Sequence, residues 1–321
     1  MGRKTKAWLV IAASLVVIGL ILVAVAMFAY AWDFTELSTE KYETNTHTIN
    51  ETFRNIAMYT DTADIRFVLS DGGACTVECY EEEKDGHLVF VQEDTLVIKA
   101  EDEKEWDDYV GIHFGTPKIT VYLPKADYTA LSIEESTGDI EIPGEFRFEN
   151  ADIALSTGDV QFCASVSGLA KIKTTTGNIQ VESISAGTLD LCVSTGRITA
   201  SNVACEGDVC VCVSTGKTAL NDLSCKNLTS SGSTGDIALK CVIVTEKMTI
   251  SRSTGDVKFE GTDAGEIFIE TDTGDVTGSL LTEKVVIAQT NTGSVDVPQS
   301  VAGGSCEIFT NTGDISVTIQ Q

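Results

Sequence analysis

From residue 129 to the end of the chain, apolar and polar positions alternate in short bursts that restart every 19 or 20 residues. Each burst is centred on a Thr-Gly pair. The glycines are Gly138, Gly158, Gly177, Gly196, Gly216, Gly235, Gly255, Gly274, Gly293 and Gly313, and each follows a threonine, from Thr137 to Thr312. Counted from the glycine, positions −7 and −5 are mostly apolar, as in Leu131 and Ile133, Val209 and Val211, and Ile267 and Ile269. Positions +2 and +4 are apolar again, as in Ile140 and Ile142, Val160 and Phe162, and Val257 and Phe259. Positions −6, −4 and +3 are mainly polar or small, as in Asp152, Lys173, Gln161 and Lys258. Period-two alternation on both sides of a turn predicts two short strands per repeat with one face turned inward. A unit of this length cannot bury its apolar face alone, so successive units must stack. Equivalent strands would then lie parallel at about 4.8 Å, and ten units would make a rod of roughly 45–50 Å. No stretch of 129–321 has a helical period. The fold expected is all-β: a single-stranded parallel β-solenoid (β-helix) of 19–20-residue rungs.

Upstream the alternation is less regular. Ile65 and Phe67, Leu88 to Val91, Leu96 to Ile98, and Ile119, Val121 and Leu123 read as strands, separated by turn signals such as Asp71-Gly72-Gly73. Residues 53–128 are therefore expected to form irregular β coils that cap the solenoid, whose open ends must be hidden. The charged stretch from Glu101 to Asp108 reads as a loop. Residues 33–52, polar and without periodicity, read as a linker or stalk. Residues 1–32 differ in kind. Arg3, Lys4 and Lys6 precede a run from Trp8 to Trp32 that carries no charge. About 25 apolar residues are enough for one transmembrane helix. The run is far longer than the roughly 7–15 residues of a signal-peptide core, which favours an uncleaved anchor. Basic residues on its N-terminal side predict a cytoplasmic N-terminus and an extracytoplasmic C-terminal domain.

Charge sharpens the choice of partner. Three of the 22 basic residues precede the apolar run, leaving 19 against all 48 acidic residues in the remainder of the chain. Such a surface repels nucleic acid and anionic lipid. The expected partners are the membrane, through the N-terminal helix, and an envelope protein or polysaccharide.

Candidate chemistry is sparse. The glycines supply a positive φ at a corner. Position +1 is aspartate at Asp139, Asp159, Asp236, Asp256, Asp275 and Asp314. Aspartates one rung apart form weak candidates for a calcium ladder, because calcium takes six to eight oxygens. Turn chemistry, in which aspartate bonds nearby backbone, is the stronger reading, since Arg197, Lys217 and Ser294 interrupt the series. No other cofactor is expected. Of ten cysteines, Cys192 and Cys212 share position −4, and Cys205 and Cys225 share position +9. Each pair would occupy adjacent rungs, within the Cα separation a disulfide accepts, and free thiols are the alternative. No catalytic residue is identified: Gly-x-Ser-x-Gly, phosphate-loop and His-rich metal motifs are absent from the sequence.

Leu123-Pro124-Lys125-Ala126-Asp127-Tyr128, followed by Ser136-Thr137-Gly138-Asp139-Ile140 and by Ser253-Thr254-Gly255-Asp256-Val257, resembles the bacterial putative-adhesin family of β-strand-repeat proteins, a domain of unknown function. The resemblance covers about residues 50–321 and implies exported or membrane-anchored β-solenoids. It carries no catalytic or binding residue across. The expected function is a membrane-anchored surface interaction module or an envelope-sensing accessory protein. A carbohydrate-active enzyme, a polysaccharide lyase or hydrolase, is the alternative.

Overall fold

The computed structural model describes residues 3–29, 41–83, 86–101 and 115–320. Residues 33–40 of the expected linker and 102–108 of the charged stretch lie outside them. Among the described residues no helix is long and apolar enough to cross a membrane. In α1 (Arg3–Ala29) side chains are described at Trp8 and at residues 12–25, and all of these are exposed.

The rest is a β-solenoid. Strands on either side of each Thr-Gly corner run parallel to their counterparts in neighbouring coils: Leu131 beside Ala151, Val160 beside Ile140, and Leu189 beside Val209. The alternating apolar positions line one continuous core. Leu131, Ile133, Val160, Phe162, Met248, Ile250, Ile267 and Ile269 are all buried, while Asp152, Lys173, Gln161 and Lys258 face out. Strand sterics force this separation, because successive side chains point to opposite faces.

The middle coils contain a third short strand that the two-strand expectation lacked. After Asn202, Asp222 and Cys241, each with φ near +50, the chain turns a second corner. Val203 then pairs with Leu223, and Leu223 with Val242, all three buried. Only two inward residues mark this strand, too few to show as a period.

The cap is built from irregular elements. β1 (Tyr42–Ile49) pairs antiparallel with β4 (Cys75–Glu82), so these residues belong to the folded body and not to a linker. Its polar sequence hid it: Ile49 is its one buried side chain. β2 (Asn55–Thr62) and β3 (Asp64–Leu69) form a coil whose corner is Ala63. β5 (His87–Gln92) forms a hairpin with β6 (Thr95–Ala100), and β7 (Lys118–Leu123) pairs antiparallel with β4. β8 (Asp127–Thr137) and β9 (Ile140–Ile142) then open the regular array.

Coils do not stack in sequence order at either end. β2 lies between β6 and β8, so the first coil is covered on both edges. At the other end, Gly304–Thr312 lies between the strand that ends at Thr273 and Lys284–Thr292. The coil of Gly313 is thus inserted between those of Gly274 and Gly293.

Candidate functional site

The corner determines what each surface position can do. All ten corner glycines have φ between +128 and +154. A Cβ at any of Gly158, Gly177, Gly235 or Gly255 would overlap the carbonyl oxygen of the corner glycine in the coil beside it. Glycine is therefore required twice, by conformation and by space. The corner leaves no gap in the backbone ladder: Gly235 N donates to Thr254 O at 2.8 Å, and Gly274 N to Thr312 O at 2.9 Å. Inward threonines at position −3 add a bond to the same place, Thr271 to Gly255 O at 3.3 Å and Thr310 to Gly274 O at 3.2 Å.

The +1 aspartates form a ladder of their own. Asp139 Oδ1 accepts from Asp159 N at 2.8 Å, and Asp159 Oδ1 accepts from Asn178 N at 2.7 Å. Asp236, Asp256, Asp275 and Asp314 each do the same for the amide of the coil above, at 3.2, 3.1, 2.8 and 2.7 Å. Backbone N–H donors, Ser294 to Asp314 and Asp256 to Asp236, hold these two carboxyls below the usual carboxylate range. Among the described residues, the one group of three His, Cys, Asp or Glu ligand atoms within 4.8 Å of one another lies elsewhere, at Cys79, Glu81 and His87.

All ten cysteines are free thiols. Cys192 and Cys212 are direct cross-strand neighbours, half-buried on the outward face. Burial and a hydrogen bond to Cys212 push the Cys192 thiol up to about 11. Cys205 and Cys225 are buried, and Cys205 Sγ meets Gly187 O at 3.5 Å and Asp208 O at 3.6 Å.

Outward positions −4 and −2 of the first coils form an open trough of about 570 Å³. Tyr59 and Glu134 stand at one end and Lys173 and Cys192 further along, with Ser136, Ser156, Thr175 and Ser194 in a row, one per coil. Tyr59 is 46% exposed and also walls a second trough with Asp61, Leu88 and Lys99. Beneath the first trough Glu135 points inward. It accepts from Ala63 N at 3.2 Å and Thr137 N at 3.3 Å and from the Thr60 hydroxyl. Burial nevertheless raises its carboxyl to about 8. Tyr59 escaped the sequence reading because its coil has Ala63 where the others have glycine, so the repeat count begins one coil late.

The family model for Toastrack DUF4097 matches residues 53–211 and 206–321. The chain belongs to the Toastrack DUF4097 family. Solved structures similar to this Toastrack chain include a putative adhesin from Parabacteroides distasonis ATCC 8503, at 13% identity and TM-score 0.46, covering 88% of this chain and 98% of that one. Another is a putative adhesin from Parabacteroides merdae ATCC 43184, at 13% identity and TM-score 0.45, covering 88% and 97%. A third is a putative adhesin from Bacteroides fragilis NCTC 9343, at 16% identity and TM-score 0.38, covering 87% and 97%. No curated protein matches the Toastrack chain.

Proposed function

We propose that this chain is a membrane-tethered, extracytoplasmic interaction module that binds an envelope polysaccharide along the trough beside Tyr59. The observation that carries the reading is the pairing of an exposed tyrosine with a row of hydroxyls, Ser136, Ser156, Thr175 and Ser194, repeated once per coil. An aromatic face and a polar tip suit a ligand that is apolar on one side and wet on the other. The coil rise of about 4.8 Å is close to the length of one sugar ring, so a polymer can meet the row in register. An acidic surface disfavours nucleic acid and anionic lipid as occupants.

Tethering is supported by the charge-free run from Trp8 to Trp32 behind Arg3, Lys4 and Lys6. The described side chains of α1, Leu15, Val16, Ile18 and Leu22 among them, are exposed on every side. A helix apolar all round needs an apolar surrounding. The N-terminus would be cytoplasmic and the solenoid outside, close to the membrane, where it could report on the envelope. The two carboxylates that line the trough do not make a catalytic pair, because Glu135 is held from within by Ala63, Thr137 and Thr60.

Binding of isolated envelope polysaccharide to the full chain in detergent, measured by calorimetry, tests the ligand. Tyr59→Ala should weaken binding by about tenfold, the scale of one lost stacking contact. Equal binding by wild type and Tyr59→Ala would remove the trough from consideration. Protease treatment of intact cells and of spheroplasts tests the compartment, and cleavage of the solenoid only after lysis of the membrane would contradict it.

A further inference from the structure

The cap holds three potential metal ligands of different chemistry on converging strands. Cys79 and Glu81 are two residues apart on β4, so both project from one face of the strand. His87 opens β5 and lies within reach of both. Cys79 is fully buried, and the side chains of Glu81 and His87 are 2% and 6% exposed. One ligand atom from each lies within 4.8 Å of the other two.

Two facts set this cluster apart from an ordinary buried ion pair. His87 Nδ1 lies 2.6 Å from Glu81 Oε2, and Asn45 Nδ2 donates to Glu81 Oε1 at 2.8 Å, so the carboxylate is satisfied. The imidazole is not: His87 Nε2 is buried without a hydrogen-bond partner. Among the described residues the other buried side-chain nitrogen or oxygen in that condition is His47 Nε2. His47 lies on β1 opposite Val77, two positions along from Asn45, which is itself opposite Cys79. The two orphaned imidazole nitrogens thus both belong to strands that meet at this cluster. An ion shared with Glu81 would take His87 Nδ1, the nitrogen that faces the carboxylate, in place of their present contact.

We propose that Cys79, Glu81 and His87 bind a zinc ion that staples β4 and β5 in the cap. The donor set suits zinc, which takes sulfur, imidazole nitrogen and carboxylate oxygen together, whereas calcium and magnesium take oxygen alone. Charge also balances. A thiolate, a carboxylate and a neutral imidazole bring two negative charges to a doubly positive ion, so the completed centre is neutral, as a buried site requires. Binding displaces one proton from the Cys79 thiol to solvent, and no electron moves. All three donors are buried, which closes the site to substrate and makes its role structural.

The test uses the full chain in detergent, stripped by dialysis against a chelator and titrated with zinc sulfate. One zinc should bind per chain and raise the melting temperature. Cys79→Ser and His87→Gln should each weaken zinc binding by at least about tenfold, the lower end of what losing a metal-site contact costs. Cys192→Ser/Cys212→Ser, which removes the outward thiol pair, should bind as wild type does. If Cys79→Ser does not fold, cobalt added to Cys192→Ser/Cys212→Ser should still give a near-ultraviolet thiolate-to-metal band. No saturable binding at about 100 μM zinc, far weaker than structural sites, would overturn the assignment. So would a cobalt complex without the thiolate band, or loss of binding only when Cys192 and Cys212 are removed. Polysaccharide binding is read separately, so failure of the metal site leaves the trough untouched.

Discussion

Asn311 Nδ2 donates to Asp272 Oδ1 at 3.1 Å across 39 residues of chain, and Asn291 Nδ2, 20 residues back, bonds Asn311 Oδ1 from the other side at 3.0 Å. The final coil is therefore an internal one. The chain passes over one coil position to lay down Lys284–Thr292, then returns to fill the gap with Gly304–Thr312. Ends of a solenoid expose unpaired strand edges and fray. Placing the chain's last coil between two others gives it partners on both edges. The consequence can be read by hydrogen exchange. Amides of 306–312 should exchange more slowly than those of 286–292, although they lie nearer the C-terminus. Faster exchange at 306–312 would contradict the insertion.

Gly235→Val should be severely destabilising. Its φ is +128, and a Cβ would overlap Gly216 O. A β-branched residue meets both obstacles, so a loss of at least about 3 kcal/mol is expected. Gly72→Ala is the control, since open space surrounds that position, and it should change stability by no more than about 0.5 kcal/mol. Urea unfolding of the two variants measures the difference.

Glu135 makes stability depend on pH. Its carboxyl is raised to about 8 by burial, above the usual 4.5. The folded chain then holds a proton that the unfolded chain releases across that interval. Its contribution is fully present below about 4.5, falls as pH rises, and is lost once pH passes about 8. The change should be on the order of 1–3 kcal/mol. Glu135→Gln, which stays neutral, should flatten the pH profile of the melting temperature between those limits. An unaltered profile would show that Glu135 is ionised in the fold.

Asp159 separates turn chemistry from calcium. Its Oδ1 accepts from Asn178 N at 2.7 Å and from Asn178 Nδ2 at 3.0 Å. Asp159→Ala should cost about 1 kcal/mol, while Asp159→Asn keeps an acceptor and should stay near wild type. Millimolar calcium is expected to leave the melting temperature unchanged. A calcium-induced rise that disappears in Asp159→Asn would restore the ladder of metal ions. Asp236 and Asp314 contribute in the opposite pH direction to Glu135. Their carboxyls are depressed, so their share of stability is present above the unfolded value of 3.8 and lost as pH falls through the folded one.

The Thr-Gly period was enough to predict the fold because each coil solves the same local problem. Leu131, Ile133, Ile140 and Ile142 had to face inward once the corner at Gly138 was placed, and they do. The third ladder was less legible, since an inward pair such as Leu223 and Cys225 is too short to declare a period. Asn202 and Asp222 were its signal, residues that tolerate a positive φ.

By itself, the sequence determined which residues turn corners, which face the core, and that the coils run parallel, because those properties come from steric rules acting over a few residues. Tertiary structure alone decided which coil lies beside which. A 19–20-residue repeat presents nearly the same edge at every level, so local rules cannot tell the coil of Gly293 from that of Gly313 as a neighbour for Gly274. It also decided that Cys79, Glu81 and His87 meet, since no spacing in the chain encodes how a hairpin folds back over a strand. Tyr59 gained its place beside the row of hydroxyls in the same way, from the stacking of β2 on β8 at the start of the regular array.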